Sequence, residues 1–253
     1  MTVEIVEYFT TGLIILFGTF LGSFSGGAAS LVVFPLLLIF IPGSYISLLI
    51  TSKVAAAVMA IVAGKMHSKK RGMDYRLLAT LLIGSLIGTG IGTYFLQHKF
   101  DESLFRILMT VFIFMTAFYL FMSKNKGLVK GKRQKRNLKS FLIIGFITVL
   151  INIMNGIFGG TGLFITILLV LYFRMSFIQA IAYTMVNYAI ISAIQVGYLW
   201  WSEGFDLWMA VVAIIFAFIG GALGTKLQYL KGNLWVKRAA IIVMILIGVR
   251  MLF

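Results

Sequence analysis

The chain has 253 residues, 61% hydrophobic and only 11% charged, with a mean hydropathy of +1.05 and a formal net charge of +15. A soluble domain carries about 45–50% apolar and about 25% charged residues, so a soluble globular protein is excluded and no room is left for a second, aqueous domain. Cysteine is absent, which excludes disulfides, thiolate metal sites, iron–sulfur clusters and a cysteine nucleophile.

A membrane helix needs about 20 apolar residues. In chain order, uncharged runs occupy 12–52, 54–64, 77–98, 107–123, 140–173, 175–202, 207–225 and 239–249, with Lys53 interrupting what would otherwise be one apolar block. The N-terminal segment carries Glu4 and Glu7 and no basic residue, unlike a cleavable signal peptide. Two runs are too long for one helix: Gly12 to about Ile41, and 140–173. Each has a glycine-rich break near its middle. The first reads Gly22-Ser23-Phe24-Ser25-Gly26-Gly27, the second Asn155-Gly156-Ile157-Phe158-Gly159-Gly160-Thr161-Gly162. Such glycines serve either close helix packing or a discontinuous, re-entrant hairpin lining a polar cavity.

Basic residues mark cytoplasmic loops. Lys65, Lys69, Lys70, Arg71 and Arg76 form one such loop. Lys124, Lys126, Lys130, Lys132, Arg133, Lys135, Arg136 and Lys139 form a second, and Lys226, Lys231, Lys237 and Arg238 a third. The segment Glu203-Gly204-Phe205-Asp206 has no basic residue and belongs outside. Passing from the second basic loop to this segment takes an odd number of crossings. The run 140–173 must therefore go in and come back, with its glycines at the turn. The same logic applied to the first long run puts the N-terminus outside, and the count of crossings puts the C-terminus outside too. Only Lys53, Lys99, Arg106 and Arg250 then fall outside the cytoplasmic set. The basic segment 124–139 reads first as an orientation signal touching lipid headgroups, and otherwise as a funnel for anions.

The halves repeat at an offset of 132 residues. Gly72-Met73-Asp74 matches Gly204-Phe205-Asp206, and Gly88–Thr93 matches Gly220–Thr225. Ser52 and Val54 match Thr184 and Val186, and Arg106 matches Arg238. With a one- or two-residue shift the two glycine breaks match as well. The matched loops lie on opposite sides by the charge rule, so the repeats are inverted. The predicted fold is an all-α polytopic membrane protein. Residues 1–123 form the first inverted repeat, 124–139 a basic cytoplasmic linker, and 140–253 the second repeat. Each repeat is a broken or re-entrant glycine-rich helical hairpin followed by three transmembrane helices. Inverted repeats with broken helices are the architecture of secondary transporters, with the site at the midplane.

The return arm of each hairpin starts near Gly26–Ala29 or Gly160–Gly162, which directs free N–H groups and a positive dipole end at the membrane centre and favours an anion there. The candidate substrate-binding residues are Ser23, Ser25, Gly26, Gly27, Ser30, Ser52 and Lys53 in the first half. Asn152, Asn155, Gly159, Gly160, Thr161, Gly162, Thr184 and Asn187 complete the set from the second half. Lys53 is either a counter-charge for the anion or a lysine snorkelling to the outer interface. Its repeat partner is Met185, so the site is asymmetric. All seven acids (Glu4, Glu7, Asp74, Asp101, Glu102, Glu203 and Asp206) and both histidines (His67 and His98) lie near loops, so coupling through a buried carboxylate is not expected. Asp74 and Asp206 read as helix N-caps. The Gly88–Gly92 and Gly220–Gly224 sets read as tight helix packing, and Trp200, Trp201, Trp208 and Trp235 as interfacial anchors. No catalytic residues, metal or cofactor are expected, because no His, Asp, Glu or Cys converge at depth. The expected partners are a small anion and the lipid bilayer, not nucleic acid. An exposed apolar surface is compatible with a homodimer.

The glycine-rich break, Thr51-Ser52-Lys53 in the following helix, Gly72-Met73-Asp74 and Gly88-x-x-x-Gly92-Thr93 together resemble the TauE/SafE family. These are the sulfite and organosulfonate exporters, also called the toluene sulfonate uptake permease family. The resemblance runs from about Gly12 to the end. It implies a multi-pass carrier in the inner (plasma) membrane that moves small sulfur oxyanions or sulfonated acids. In the second half, Tyr183-Thr184-Met185 lacks the lysine. The resemblance leaves open sulfite, sulfoacetate, thiosulfate or another anion. An anion channel and a non-transporting assembly partner are the competing readings, the latter requiring a filled interior.

Overall fold

The computed structural model describes residues 2–27, 29–68, 73–97, 137–203 and 206–252, together with 107, 110, 111, 114, 115, 117, 118, 121, 122, 127 and 128. The predicted helix 107–123, most of the basic segment 124–139, and the motif positions Gly72, Gly204, Phe205 and Arg106 lie largely or wholly outside the described residues. The elements are α1 (Thr2–Ser25), α2 (Ala29–Phe40), α3 (Tyr45–Ser68), α4 (Tyr75–Gln97), α5 (Leu138–Phe158), α6 (Gly162–Tyr172), α7 (Phe177–Glu203) and α8 (Leu207–Leu252). Among the described residues six helices are long and apolar enough to cross a membrane. The other two, α2 and α6, have 12 and 11 residues. At 1.5 Å per residue they reach about half-way across a 30 Å core. The protein is therefore an all-helical, multi-pass membrane protein.

Small residues decide how the helices pair, because without a Cβ two backbones approach closely. Gly12 abuts Phe216, Gly220 abuts Leu16 and Thr19, and Gly224 abuts Phe20 and Ser23. Partner numbers rise together, so α1 and α8 run parallel. Gly84 abuts Gly145 and Thr148, Gly88 abuts Val149 and Asn152, and Gly92 abuts Ile153 and Gly156, so α4 and α5 also run parallel. The Gly-x-x-x-Gly sets thus do the packing that the sequence predicts. Met59 meets Gly221 and His67 Nδ1 lies 2.6 Å from Tyr229 OH, making α3 parallel to α8. Asn187 donates to Ser85 and Gln195 to Thr93, making α7 parallel to α4. The start of α4 meets Tyr183 through an Asp74 N–H bond of 2.7 Å, Gly64 meets Val186, and Ser52 is tied through Ser30 to Tyr188. These three levels make α7 antiparallel to α3. Hence α1, α3 and the part of α8 before Gly232 run one way and α4, α5 and α7 the other.

Both long runs break at glycine, over a shorter stretch than the sequence suggests. Helix persists through Gly22 and Gly156, and the breaks reduce to Gly26–Gly27 and Gly159–Thr161. Gly22 and Gly156 instead face neighbouring backbone, Gly22 against Ala29 and Gly156 against Gly92 and Thr93. Gly18 faces Val33 while Gly22 faces Ala29, so α2 runs back along α1 and the first break is a hairpin turn. Gly26 and Gly27 take φ of 103° and 112°, and Gly159 and Gly160 take 77° and 79°, values that side-chain-bearing residues rarely adopt.

Two further expectations resolve locally. Asp74 accepts from Arg76 N and Leu77 N, and Asp206 from Trp208 N and Met209 N, so both aspartates are N-caps as predicted. The predicted basic connection at Lys226–Arg238 is shorter than the sequence suggests: α8 is two helical segments that meet at Gly232, with φ 76° and ψ −178°. Lys, Leu, Gln and Tyr sustain helix up to the turn, and Gly232 takes the left-handed conformation that separates the two segments. Asn233 fixes this bend by accepting from Ile178 N and donating to Leu128 O, both at 3.0 Å.

Candidate functional site

The two breaks meet. A Cβ on Gly27 would lie 2.9 Å from the Gly162 backbone, and one on Gly160 would lie 2.5 Å from Leu31 N. The residues after each break therefore start α2 and α6 at a common centre, in backbone contact. Nothing larger than glycine allows this approach.

Lys53 enters this centre from α3. Its side chain is fully buried, with 0% of its surface exposed, so it does not snorkel. Nζ donates to Asn155 O at 3.0 Å and to Asn155 Oδ1 at 3.2 Å. Both acceptors are neutral. Its Cε and Nζ also lie against Gly159, where a Cβ would meet them at 3.0 and 3.2 Å. A buried cation satisfied by neutral dipoles is expensive in a membrane, which makes Lys53 the first candidate for a functional position.

The surroundings supply hydrogen-bond donors rather than counter-charges. Ser30 Oγ lies 3.4 Å from Ser52 O and 3.1 Å from Tyr188 OH, and Gly160 N donates to Tyr188 OH at 2.9 Å. Asn155 Nδ2 donates to Thr89 Oγ1 at 3.2 Å. Thr166 Oγ1 lies 2.9 Å from both Gly26 O and Thr184 Oγ1. Thr161 caps α6 without a side-chain bond, and its buried hydroxyl has no hydrogen-bond partner. The buried Ser25 hydroxyl at the other break is likewise unpartnered. The positive end of the α6 dipole adds to the Lys53 charge. Among the described residues no cluster of acids and histidines could hold a metal ion. The arrangement suits a small anion.

The structure thus gathers Gly26, Gly27, Ser30, Ser52 (through its carbonyl), Lys53, Asn155, Gly159, Gly160, Gly162 and Thr184 around one centre. Ser25 and Thr161 are buried at its two turns. Three predicted residues are engaged elsewhere. Ser23 lies in the α1–α8 seam, bonded to Gly221 O and Thr225 Oγ1 at 2.9 and 2.6 Å. Asn152 donates back to Thr148 O on its own helix, and Asn187 donates to Ser85 on α4. Tyr188, Thr89 and Thr166 also reach the centre, and the sequence alone does not single them out. A signal for Tyr188 exists: it sits four residues after Thr184, on the same helical face and far from either end of α7, where an anchoring tyrosine would stand.

A protein-family model described as sulfite exporter TauE/SafE matches residues 11–251 of the chain. No curated protein and no solved structure matches it.

Proposed function

The chain belongs to the sulfite exporter TauE/SafE family, a family of membrane transporters, and we propose that it exports small sulfur-containing anions through a midplane site where two inverted repeats meet. Sulfite, sulfonates and related oxyanions are the substrate class. The observation that carries this reading is Lys53, fully buried beside two helix breaks and bonded only to the neutral Asn155. An arriving oxyanion offers the ammonium the counter-charge it lacks.

The helix pairings support the inverted repeat. Gly220 and Gly88 differ by 132 residues, and their partners Leu16 and Val149 by 133. Gly224 and Gly92 again differ by 132, and Phe20 and Ile153 by 133. Exchanging the halves therefore turns the α1–α8 seam into the α5–α4 seam, and the two seams run in opposite directions. Charge supports the orientation with both termini outside in a plasma membrane. Lys65, Arg76, Lys139 and Lys226 stand at one end of the helices, and Glu203 and Asp206 at the other.

Membrane potential supplies the driving force. Expelling one negative charge from an inside-negative cell gains about 2.3 kcal/mol per 100 mV, and no buried carboxylate is needed to couple it. The test is flux of sulfite, sulfate and sulfoacetate in proteoliposomes, with and without an imposed potential. Potential-driven flux of one of them is expected. Folded protein that moves none would overturn the assignment and favour an assembly role.

A further inference from the structure

A cavity of about 330 Å³ opens between the second halves of α4 and α7. Its wall is mostly apolar, with the buried Thr89, Thr93 and Gln195 as its polar residues, Ile191 level with Thr89, and Tyr94 and Tyr198 at its outer end. Its floor touches the site already described. Thr89 Oγ1 accepts from Asn155 Nδ2, and the opposite atom of the same carboxamide accepts from Lys53. The Asn155 side chain is therefore the partition between the buried ammonium and the cavity wall. Gln195 Nε2 donates to Thr93 Oγ1 and to Gly156 O, on the α5 turn that carries Asn155.

The equivalent interface in the other half is shut. Thr89 and Ile191 correspond, at the offset of 132, to Gly221 and Met59. At that pair the helices touch: a Cβ on Gly221 would lie 3.0 Å from Met59 Cα, and Met59 is fully buried. One member of a symmetric pair of interfaces holds a cavity and is bridged by side chains, Gln195 to Thr93 and Asn187 to Ser85, whereas the other is closed backbone to backbone. A repeat whose halves are equivalent has a second state in which these roles are exchanged.

We infer that the α4–α7 cleft is the outer mouth of the anion path, and that it closes when α3 and α8 part at Met59–Gly221 to form the inner mouth. This inference rests on the inverted-repeat reading given above. The wall chemistry fits passage rather than storage. A mostly apolar wall with a few hydroxyl and amide groups lets an oxyanion move outward from Lys53 without a second fixed charge to hold it.

The chain has no cysteine, so introduced thiols report without background. Three variants are reconstituted: Thr93→Cys, Met59→Cys, and Met59→Cys combined with Thr93→Cys and Gln195→Cys. Each is treated with an anionic, membrane-impermeant methanethiosulfonate from one side at a time. Thr93→Cys is expected to react from the Tyr94–Tyr198 side only, and Met59→Cys to react slowly from either side. Oxidising the 93–195 pair draws α4 onto α7, since a disulfide holds Cα atoms about 4.4–6.8 Å apart. Met59→Cys is then expected to react from the opposite side at least about tenfold faster, as a state populated to ~10% or less becomes the whole population. An unreactive Thr93→Cys, or an unchanged Met59→Cys rate after cross-linking of protein with native-like melting, overturns the inference. Neither readout depends on the substrate. Gating without sulfur-anion flux would sink the substrate assignment alone, and flux without reciprocal labelling would sink the gate alone.

Discussion

Replacing Lys53 by methionine separates what the lysine does for folding from what it does for transport. Methionine is unbranched, adaptable and close to lysine in length, so the cavity stays filled. The substitution removes two hydrogen bonds, to Asn155 O and Oδ1. Asn155 O keeps a donor, because Gly159 N also bonds it at 3.0 Å. Only Oδ1 is left without a partner, a loss of about 1–3 kcal/mol. Against this, burying an ammonium at the centre of a membrane helix costs about 2.5–3.5 kcal/mol on insertion scales, and that cost disappears. The two terms nearly cancel, so the variant is expected to melt at or slightly above the native temperature. Transport behaves differently. A charge-assisted hydrogen bond to an oxyanion is worth about 1.5–3 kcal/mol, and each 1.4 kcal/mol is tenfold, so flux at low substrate is expected to fall about 10- to 100-fold. The assay pairs thermal melting in detergent with potential-driven flux in proteoliposomes. A variant that melts normally and keeps native flux refutes the assignment of Lys53 to the substrate. One that unfolds refutes the energetic argument.

Other substitutions probe the frame and the site separately. Tyr188→Phe strips the acceptor from the Gly160 N–H and is expected to lower stability by about 1–3 kcal/mol, read as a lower melting temperature, with weaker flux. Gly92→Ala pushes a methyl into Ile153 O, whereas Gly90 has open space around it. The first is expected to destabilise by about 1–3 kcal/mol and Gly90→Ala to be neutral or mildly stabilising, a contrast that thermal melts of the two variants check. Asp206→Ala removes the cap of α8 and the 3.2 Å bond from Tyr8 OH, with an expected loss of about 1 kcal/mol. Amide exchange at Trp208 and Met209 should quicken while flux stays native.

The features legible in the sequence are those with a one-dimensional signature. Lys53 stands out because a single charge in an uncharged run has few roles. The turns stand out because paired glycines in an over-long run cannot be continuous helix. Asp74 and Asp206 stand out because an aspartate two residues after a glycine, with an apolar run beyond it, is placed to cap a helix. The misses concern direction. Ser23, Asn152 and Asn187 share the depth of the site but point into helix seams, and α1, α5 and α7 bury polar residues on several faces, so no periodicity distinguishes the centre from a seam. Gly22 and Gly156 look like part of the breaks because a glycine that bends a chain and one that admits a neighbour are the same letter. The turn at Gly232 reads as a longer loop because charge marks a membrane boundary without saying how few residues the turn takes.

The departure from symmetry at Lys53 follows from the geometry of the centre. Its repeat partner is Met185, and the partner of Gly159 is Gly26. Gly159 lies against the Lys53 ammonium, while Gly26 lies against Ile181 and Thr166. Because Gly27 and Gly162 are in backbone contact, a lysine at 185 would bring a second ammonium into the same buried space. At an effective dielectric of 20, two like charges on the order of 8 Å apart would repel by about 2 kcal/mol, on top of a second desolvation cost of about 2.5–3.5 kcal/mol. The second charge would also bind the anion too tightly for release, since conduction needs a site weak enough to leave. On the proposed reading, one lysine would supply attraction for a small anion, and the hydroxyls and amides of both halves would provide the remaining donors without either penalty. A two-fold frame with a single charge therefore suits a site that must be reached from two sides and emptied on one.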